Sequence, residues 1–171
     1  MYNYEKENWA EEKILSFSER YGTGKFVKFI LRDKEGKSLT QVKYYDGKMV
    51  SYPDIENRDD DGNTIYLLIE VKSRAWFYKY NEFLAIKEYS LRNYREVQKR
   101  EGAEVRIVYL IGDENSYDLF WMNFDMLDKM ETHREKWSDV NDTKSYVYNF
   151  FHSSQLRRDV VGLFEIKEKM K

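Results

Sequence analysis

Three charged residues near the middle of the chain have the side chains needed for phosphate chemistry. Glu70 and Lys72 follow an apolar run, residues 65–69, that has the length and β-branched and aromatic content of a strand. Because they are two residues apart, they point to the same face of that strand. Asp54 follows Pro53, the only proline in the chain. Burying an acid and an amine costs free energy unless something binds them, so this set predicts a functional site.

Spacing alone does not single out this pair. An acid two residues before a lysine occurs six times in the sequence, for example at Asp46 and Lys48. Only the pair of Glu70 and Lys72 comes directly after a run of five apolar residues. The other five pairs are explained as solvated surface charges, whereas this pair is predicted to lie at the end of a buried strand.

The predicted chemistry is that of a hard divalent cation. Two carboxylates that converge from adjacent strands, Asp54 and Glu70, suit Mg²⁺ or Mn²⁺, and Mg²⁺ commonly takes only one or two carboxylates. The backbone carbonyl of Val71 is a further candidate ligand. Lys72 could orient the attacking water, stabilise negative charge on the phosphate, or act as a base, and the sequence leaves these three roles open.

Composition excludes several classes of protein. The 171 residues contain no cysteine, which rules out disulfides, a thiol nucleophile and cysteine metal sites and fits a cytoplasmic location. We find no apolar stretch of membrane-spanning length, and residues 1–12 are polar and acidic rather than a secretory signal. The 29 basic and 31 acidic residues give a net charge of −2, which argues against coating nucleic acid by charge alone.

The hydrophobic pattern predicts one α/β domain. A buried strand at 64–72, a long helix at 81–100 and a second buried strand at 104–111 form a crossover that makes the two strands parallel neighbours. The remaining expectations are a first helix at 8–21, strands at 25–32, 40–45 and 117–124, a short helix at 125–137, an edge strand at 145–151 and a C-terminal helix at 155–170.

The motif formed by Pro53-Asp54 and Glu70-Val71-Lys72 resembles the PD-(D/E)xK signature of the restriction-endonuclease-like nuclease superfamily. The element order over residues 8–111 is also similar to that of its core. The resemblance implies an α/β fold with a restriction-endonuclease-like core, in which helices flank a central mixed sheet of four to six strands. We therefore expect one nuclease-like domain over residues 1–171, with a core at 8–124 and a C-terminal extension at 125–171.

The resemblance also implies further site residues. An acid of the first helix often joins the metal site in this superfamily, and Glu11 matches best, with Glu12 as the second choice. The helix after the ExK strand often carries polar residues that face the site, here Tyr94 and Gln98, although Tyr94 also fits a core position. The candidates for nucleic-acid contact by charge or base stacking are Arg74, Trp76, Lys79 and Lys87.

The function predicted from the sequence is a Mg²⁺- or Mn²⁺-dependent nuclease, a DNA endonuclease of the restriction or resolvase type. The resemblance also implies a homodimer, because cutting both strands of a duplex needs two active sites. One alternative is a catalytically inactive protein of the same fold that binds nucleic acid or a protein partner. Another is a small α/β protein in which Glu70 and Lys72 form only a structural ion pair.

Overall fold

The computed structural model describes residues 4–29, 41–73, 83–138 and 144–166. Ten strands and four α-helices occur in these ranges. The helices are α1 (Tyr4–Tyr21), α2 (Glu88–Glu101), α3 (Phe124–Leu127) and α4 (Val160–Phe164). The strands are β1 (Lys25–Lys28), β2 (Val42–Tyr45), β3 (Lys48–Ser51), β4 (Ile55–Arg58), β5 (Ile65–Lys72), β6 (Phe83–Lys87), β7 (Glu104–Gly112), β8 (Tyr117–Asn123), β9 (Thr132–Ser138) and β10 (Ser145–His152).

A five-stranded sheet in the order β1-β4-β5-β7-β8 forms the centre of the fold. β5 pairs in parallel with β7, and the other neighbours are antiparallel. The expected α/β class, with a mixed central sheet flanked by helices, is therefore confirmed. The parallel pairing predicted for the two buried strands is also present, with Glu70 opposite Ile107.

The sheet separates two hydrophobic clusters, and β5 contributes to both. Leu67 and Ile69 pack with Ile14 of α1 on one face. Leu68 packs with Val97 of α2 on the other face. Because side chains alternate along a strand, Glu70 and Lys72 share the α2 face with Leu68. A shift of one residue in pairing would send both charges to the α1 face.

The connection from β5 to β7 differs from the expected single helix. Residues 83–87 of the helix predicted at 81–100 instead form strand β6, and the helix begins at Glu88. Leu84 and Ile86 alternate into the core, and β6 pairs with β10. The apolar residues of 83–97 also fit helical spacing, so the pattern alone did not reveal the strand. Gly102, with φ of 63°, ends α2 in the left-handed conformation that favours glycine.

The C-terminal region differs from the expectations at three points. The expected helix at 125–137 is only α3 followed by strand β9. The expected edge strand at 145–151 is β10, the middle strand of a second sheet in the order β6-β10-β9. The helix expected at 155–170 is a single short helix, α4, within the residues described there. For residues 132–137, pairing with β10 outweighed the local helical pattern.

A hairpin formed by β2 and β3 lies between β1 and β4 in the chain and leads directly into Asp54. Lys43 and Tyr45 both contact the Glu101 carboxylate at 2.5 Å, which fixes the hairpin against the end of α2. At the other end, the Tyr52 N–H donates to the Gln41 carbonyl. Among the described helices, none combines the length and apolar character needed to cross a bilayer.

Arg106 of β7 joins the sheet to the C-terminal segment, and its side chain is only 2% exposed. Its guanidinium donates to the Glu104 carboxylate at 2.6 and 2.9 Å and lies over the ring of Trp121. It also donates to the backbone carbonyls of Gly162, Leu163 and Glu165 at 2.6–3.1 Å. One buried side chain thus satisfies the carbonyl groups at the end of α4.

We expect Arg106→Met to lower the free energy of unfolding by about 3–5 kcal/mol, because it leaves three backbone carbonyl groups without their donor and the partly buried Glu104 carboxylate without its cation. Urea denaturation measures the change. The matched control is Arg158→Met, because Arg158 is 63% exposed and lies 3.3 Å from Asp118. That control is expected to lose less than about 1 kcal/mol. Equal losses in the two variants would contradict the role given to Arg106.

Candidate active site

Asp54 and Glu70 are brought together where β4 and β5 lie side by side. Ile55 pairs with Ile69, so the next residues in each direction, Asp54 and Glu70, are neighbours across the two strands. Their side chains are close enough for a hydrogen bond between carboxyl groups. Both residues are buried, with exposures of 7% and 6%. The sequence had predicted two carboxylates that converge from adjacent segments, and the structure has this arrangement.

Two backbone hydrogen bonds fix Asp54. Its carboxylate accepts from the Val71 N–H at 2.7 Å, and its carbonyl accepts from the Phe29 N–H at 2.8 Å. Asp54 is therefore held between β1 and β5. Because the N–H and C=O of a strand residue point to the same side, the Val71 carbonyl is also directed toward the side of Asp54.

Burial and like charge dominate the electrostatics of this pair. Burial raises the pKa of Asp54 well above its usual range, and the neighbouring Glu70 carboxylate raises it further. The Val71 N–H and Lys72 act in the opposite direction but do not cancel the rise. A buried carboxyl of this kind favours either a proton or a cation, since both relieve the repulsion.

Lys72 lies beside the acids without being tightly bound to them. Its Nζ is 3.8 Å from Oε1 of Glu70, and its side chain is 33% exposed. At that distance the two groups attract electrostatically but do not form a hydrogen bond. The ammonium group therefore remains within reach of a molecule that approaches the acids from solvent.

Glu11 reaches the same site from α1. Burial raises the pKa of its carboxyl to about 7, and the neighbouring Asp54 contributes to the rise, while Lys28 lowers it. Glu12, the second choice at this position, is instead 59% exposed and pairs with Lys28. Of the two candidate acids, Glu11 and Glu12, Glu11 is the one next to Asp54.

Tyr94 and Tyr109 lie against Glu70 from the α2 side of the sheet. Tyr94 lies beside the Glu70 carboxylate, and burial together with that carboxylate raises the pKa of Tyr94. Burial also raises the pKa of Tyr109, whose hydroxyl donates to the Ala85 carbonyl at 3.1 Å. Tyr94 is also part of the hydrophobic core, so its core position and its contact with the site coexist.

The other expected contacts are not at this site or lie outside the described residues. Gln98 accepts from the Val105 N–H at the start of β7. Lys87 belongs to the second sheet, where its Nζ lies 4.2 Å from the centre of the Tyr146 ring. Arg74, Trp76 and Lys79 lie outside the described residues, and their contacts with nucleic acid stay predictions.

One charged residue of the site was missed in the sequence. Lys28 ends β1, and its Nζ lies 3.5 Å from Oε2 of Glu11. A lysine in an alternating strand is normally solvated, so its type and position gave no signal. The pairing of β1 with β4 places it here, since Lys28 is opposite Ile55 in the sheet.

The donor set fits a cation that keeps part of its water shell. Among the described residues, no three His, Cys, Asp or Glu side chains are arranged to hold a metal ion. Asp54 and Glu70 nevertheless supply two buried carboxyl groups that repel each other, next to a backbone carbonyl. Mg²⁺ usually takes one or two carboxylates and completes its shell with water and phosphate oxygens.

Comparisons with known proteins give similarity at the level of structure only. No protein-family model and no curated protein matches the sequence. The structure is similar to Hjc, a Holliday junction resolvase from the archaeal hyperthermophile Archaeoglobus fulgidus, with 14% identity and a TM-score of 0.48. This match covers 90% of this chain and 99% of the resolvase.

A second match is to a nuclease from a fusselovirus, with 16% identity, a TM-score of 0.35 and coverage of 62% of this chain and 60% of that one. Both matches are to nucleases, the class of protein that the PD…ExK resemblance implies. With TM-scores below 0.5, neither similarity bears on what this chain does, which has to be inferred from its own side chains.

The raised pKa of Glu11 makes a specific prediction about pH. A carboxyl whose pKa is higher in the folded than in the unfolded protein favours folding when protonated. With a rise from 4.5 to about 7, stability should fall as the pH increases through that interval. The loss is at most about 3 kcal/mol. In EDTA, Glu11→Gln should remove this loss and be more stable than wild type at pH 8.

Chemical denaturation between pH 4 and pH 8 measures the effect. Glu19→Gln is the matched control, because Glu19 is exposed on the same helix. The control should follow the wild-type profile. If Glu11→Gln and wild type lose stability in parallel over this interval, the burial of Glu11 against Asp54 does not have the expected electrostatic cost.

Proposed function

We propose that this protein is a divalent-metal-dependent nuclease that hydrolyses phosphodiester bonds, with DNA as its substrate. The observation that carries the proposal is the meeting of Asp54 and Glu70 at the end of β5, with Lys72 alongside. A structural ion pair would not explain this arrangement, because a second acid, Asp54, is buried against the first.

Asp54, Glu70 and the Val71 carbonyl are the proposed ligands, and Glu11 is the proposed outer acid. A bound Mg²⁺ or Mn²⁺ would polarise a phosphate oxygen and make water a better nucleophile. The chain itself supplies the remaining parts. Tyr94 lies beside the Glu70 carboxylate, and the Val71 N–H donates to the Asp54 carboxylate.

Lys72 provides the positive charge on the solvent side of the acids. Its distance from Glu70 leaves the ammonium able to turn toward a phosphate. From that position it can stabilise negative charge that develops on the phosphate oxygens, orient the attacking water or take its proton. Cutting both strands of a duplex would need two such sites, so a homodimer belongs to the same proposal.

The proposal is tested by incubating plasmid DNA, branched DNA and RNA with the protein and Mg²⁺ or Mn²⁺. We expect wild type to cleave DNA, and Glu70→Gln and Lys72→Ala each to reduce the rate by at least about a hundredfold. Asp46→Asn and Lys48→Ala are matched controls, because this pair has the same spacing but Asp46 is 79% exposed and lies at the hairpin turn. Both controls should cleave normally.

Three results would count against the proposal. Wild type could be inert on every substrate, or the site variants could cleave as well as wild type. In calorimetric titration, wild type could also fail to bind Mn²⁺ more tightly than Glu70→Gln does. Binding of DNA by a protein that neither binds Mn²⁺ nor cleaves would instead support the inactive nuclease fold.

A separate stability measurement distinguishes the site from a structural ion pair. If Lys72 only neutralised a buried Glu70, Lys72→Met would destabilise the protein by about 3–5 kcal/mol. For a loosely held and one-third exposed lysine we expect a loss below about 1 kcal/mol. Urea denaturation at pH 7 in EDTA measures the difference, and a large loss would favour the ion-pair alternative.

A further inference from the structure

Lys28 is one end of a series of charged contacts at the site. Its Nζ lies 3.5 Å from the Glu11 carboxylate, Glu11 interacts with Asp54, and Asp54 interacts with Glu70. Lys72 lies 3.8 Å from Glu70. The contacts therefore run from Lys28 through three acids to Lys72. The proposed function uses the acids and Lys72 but gives no role to Lys28.

The backbone places Lys28 as firmly as it places Asp54. Lys28 is opposite Ile55, the residue after Asp54, and the next residue of its own chain, Phe29, donates its N–H to the Asp54 carbonyl. The Lys28 side chain is 19% exposed and that of Glu11 is 18% exposed. This contact is thus more enclosed than a typical surface ion pair, and it is screened less by water.

Lys28 also contacts Glu12, at 2.6 Å. The Glu12 side chain is 59% exposed, so this second contact lies on the solvent side of the lysine. One possibility is that Lys28 serves only to pair with Glu12, so that its enclosed contact with Glu11 has no role in cation binding. The two possibilities predict different effects of removing Lys28.

We propose that Lys28 is a positioning residue that holds the Glu11 carboxylate beside Asp54 for cation binding. This inference rests on the proposed function, since it concerns the same cation site. Asp54 repels Glu11, and attraction by the Lys28 ammonium group, 3.5 Å from Glu11, opposes that repulsion. Without Lys28, the Glu11 side chain is free to turn toward solvent, and the cation site loses its outer acid.

The direction of the effect separates positioning from simple charge. Removing a positive charge near a cation site should tighten cation binding if charge alone matters. Loss of a residue that positions a ligand group weakens binding by about 10- to 100-fold. We therefore expect Lys28→Met to weaken Mn²⁺ binding by about tenfold. Lys28→Arg keeps the charge and the reach, and it should restore most of the affinity.

The experiment is calorimetric titration of Mn²⁺ into wild type, Lys28→Met, Lys28→Arg, Glu11→Gln and the Lys28→Met/Glu11→Gln double variant. Lys25→Met is the matched control, because Lys25 is an exposed lysine of the same strand. It should bind Mn²⁺ as wild type does. Because Lys28 is proposed to act through Glu11, Lys28→Met should have less than about a twofold effect once Glu11 is already Gln.

Thermal unfolding in EDTA checks that each variant is folded, and Lys28→Gln replaces Lys28→Met if the latter does not fold. Unchanged or tighter Mn²⁺ binding by the Lys28 variant would overturn the inference, as would an equal weakening in the absence of Glu11. Both results leave the nuclease proposal standing if wild type binds Mn²⁺ and Glu70→Gln does not. If wild type itself binds no Mn²⁺, both proposals fall together.

Discussion

Repulsion between buried carboxyl groups is the constraint that shapes this molecule. Asp54 and Glu70 are almost fully enclosed and close enough to raise the pKa of Asp54 well above its usual range. Glu11 adds a third acid to the same place. Such crowding costs folding free energy, and proteins keep it where the repulsion is put to use. Much of the structure around the three acids holds their carboxyl groups in place.

The central sheet and the helices on its two faces together hold the acids in position. β5 lies between β4 and β7, so its register is set from both sides and Glu70 cannot exchange faces with Val71. From α2, Tyr94 lies beside Glu70, and from β5 itself the Val71 N–H donates to Asp54. α1, which covers the other face of the sheet, contributes Glu11. The acids therefore come from three separate elements that are fixed independently.

The apolar run at 65–69 was enough to predict β5 and, with it, the shared face of Glu70 and Lys72. Strand pairing was harder to foresee. Residues 83–87 fit a helical pattern as well as a strand, and only their pairing with β10 decides between the two. For the same reason Lys28 could not be recognised, because its meeting with Glu11 depends on how β1 and α1 pack. Local patterns therefore predicted the main acids, whereas contacts between distant segments supplied the rest.

Arg106 has a consequence for the order in which the chain acquires its structure during synthesis. Its guanidinium belongs to β7, yet three of the carbonyl groups that it binds are in residues 162–165. While those residues are still inside the ribosome, the Arg106 guanidinium has Glu104 as a partner but lacks the carbonyl groups of residues 162–165. The α1 face of the sheet, where Leu163 and Phe164 pack, therefore cannot close before α4 has been synthesised, and a nascent chain exposes apolar surface there until α4 emerges.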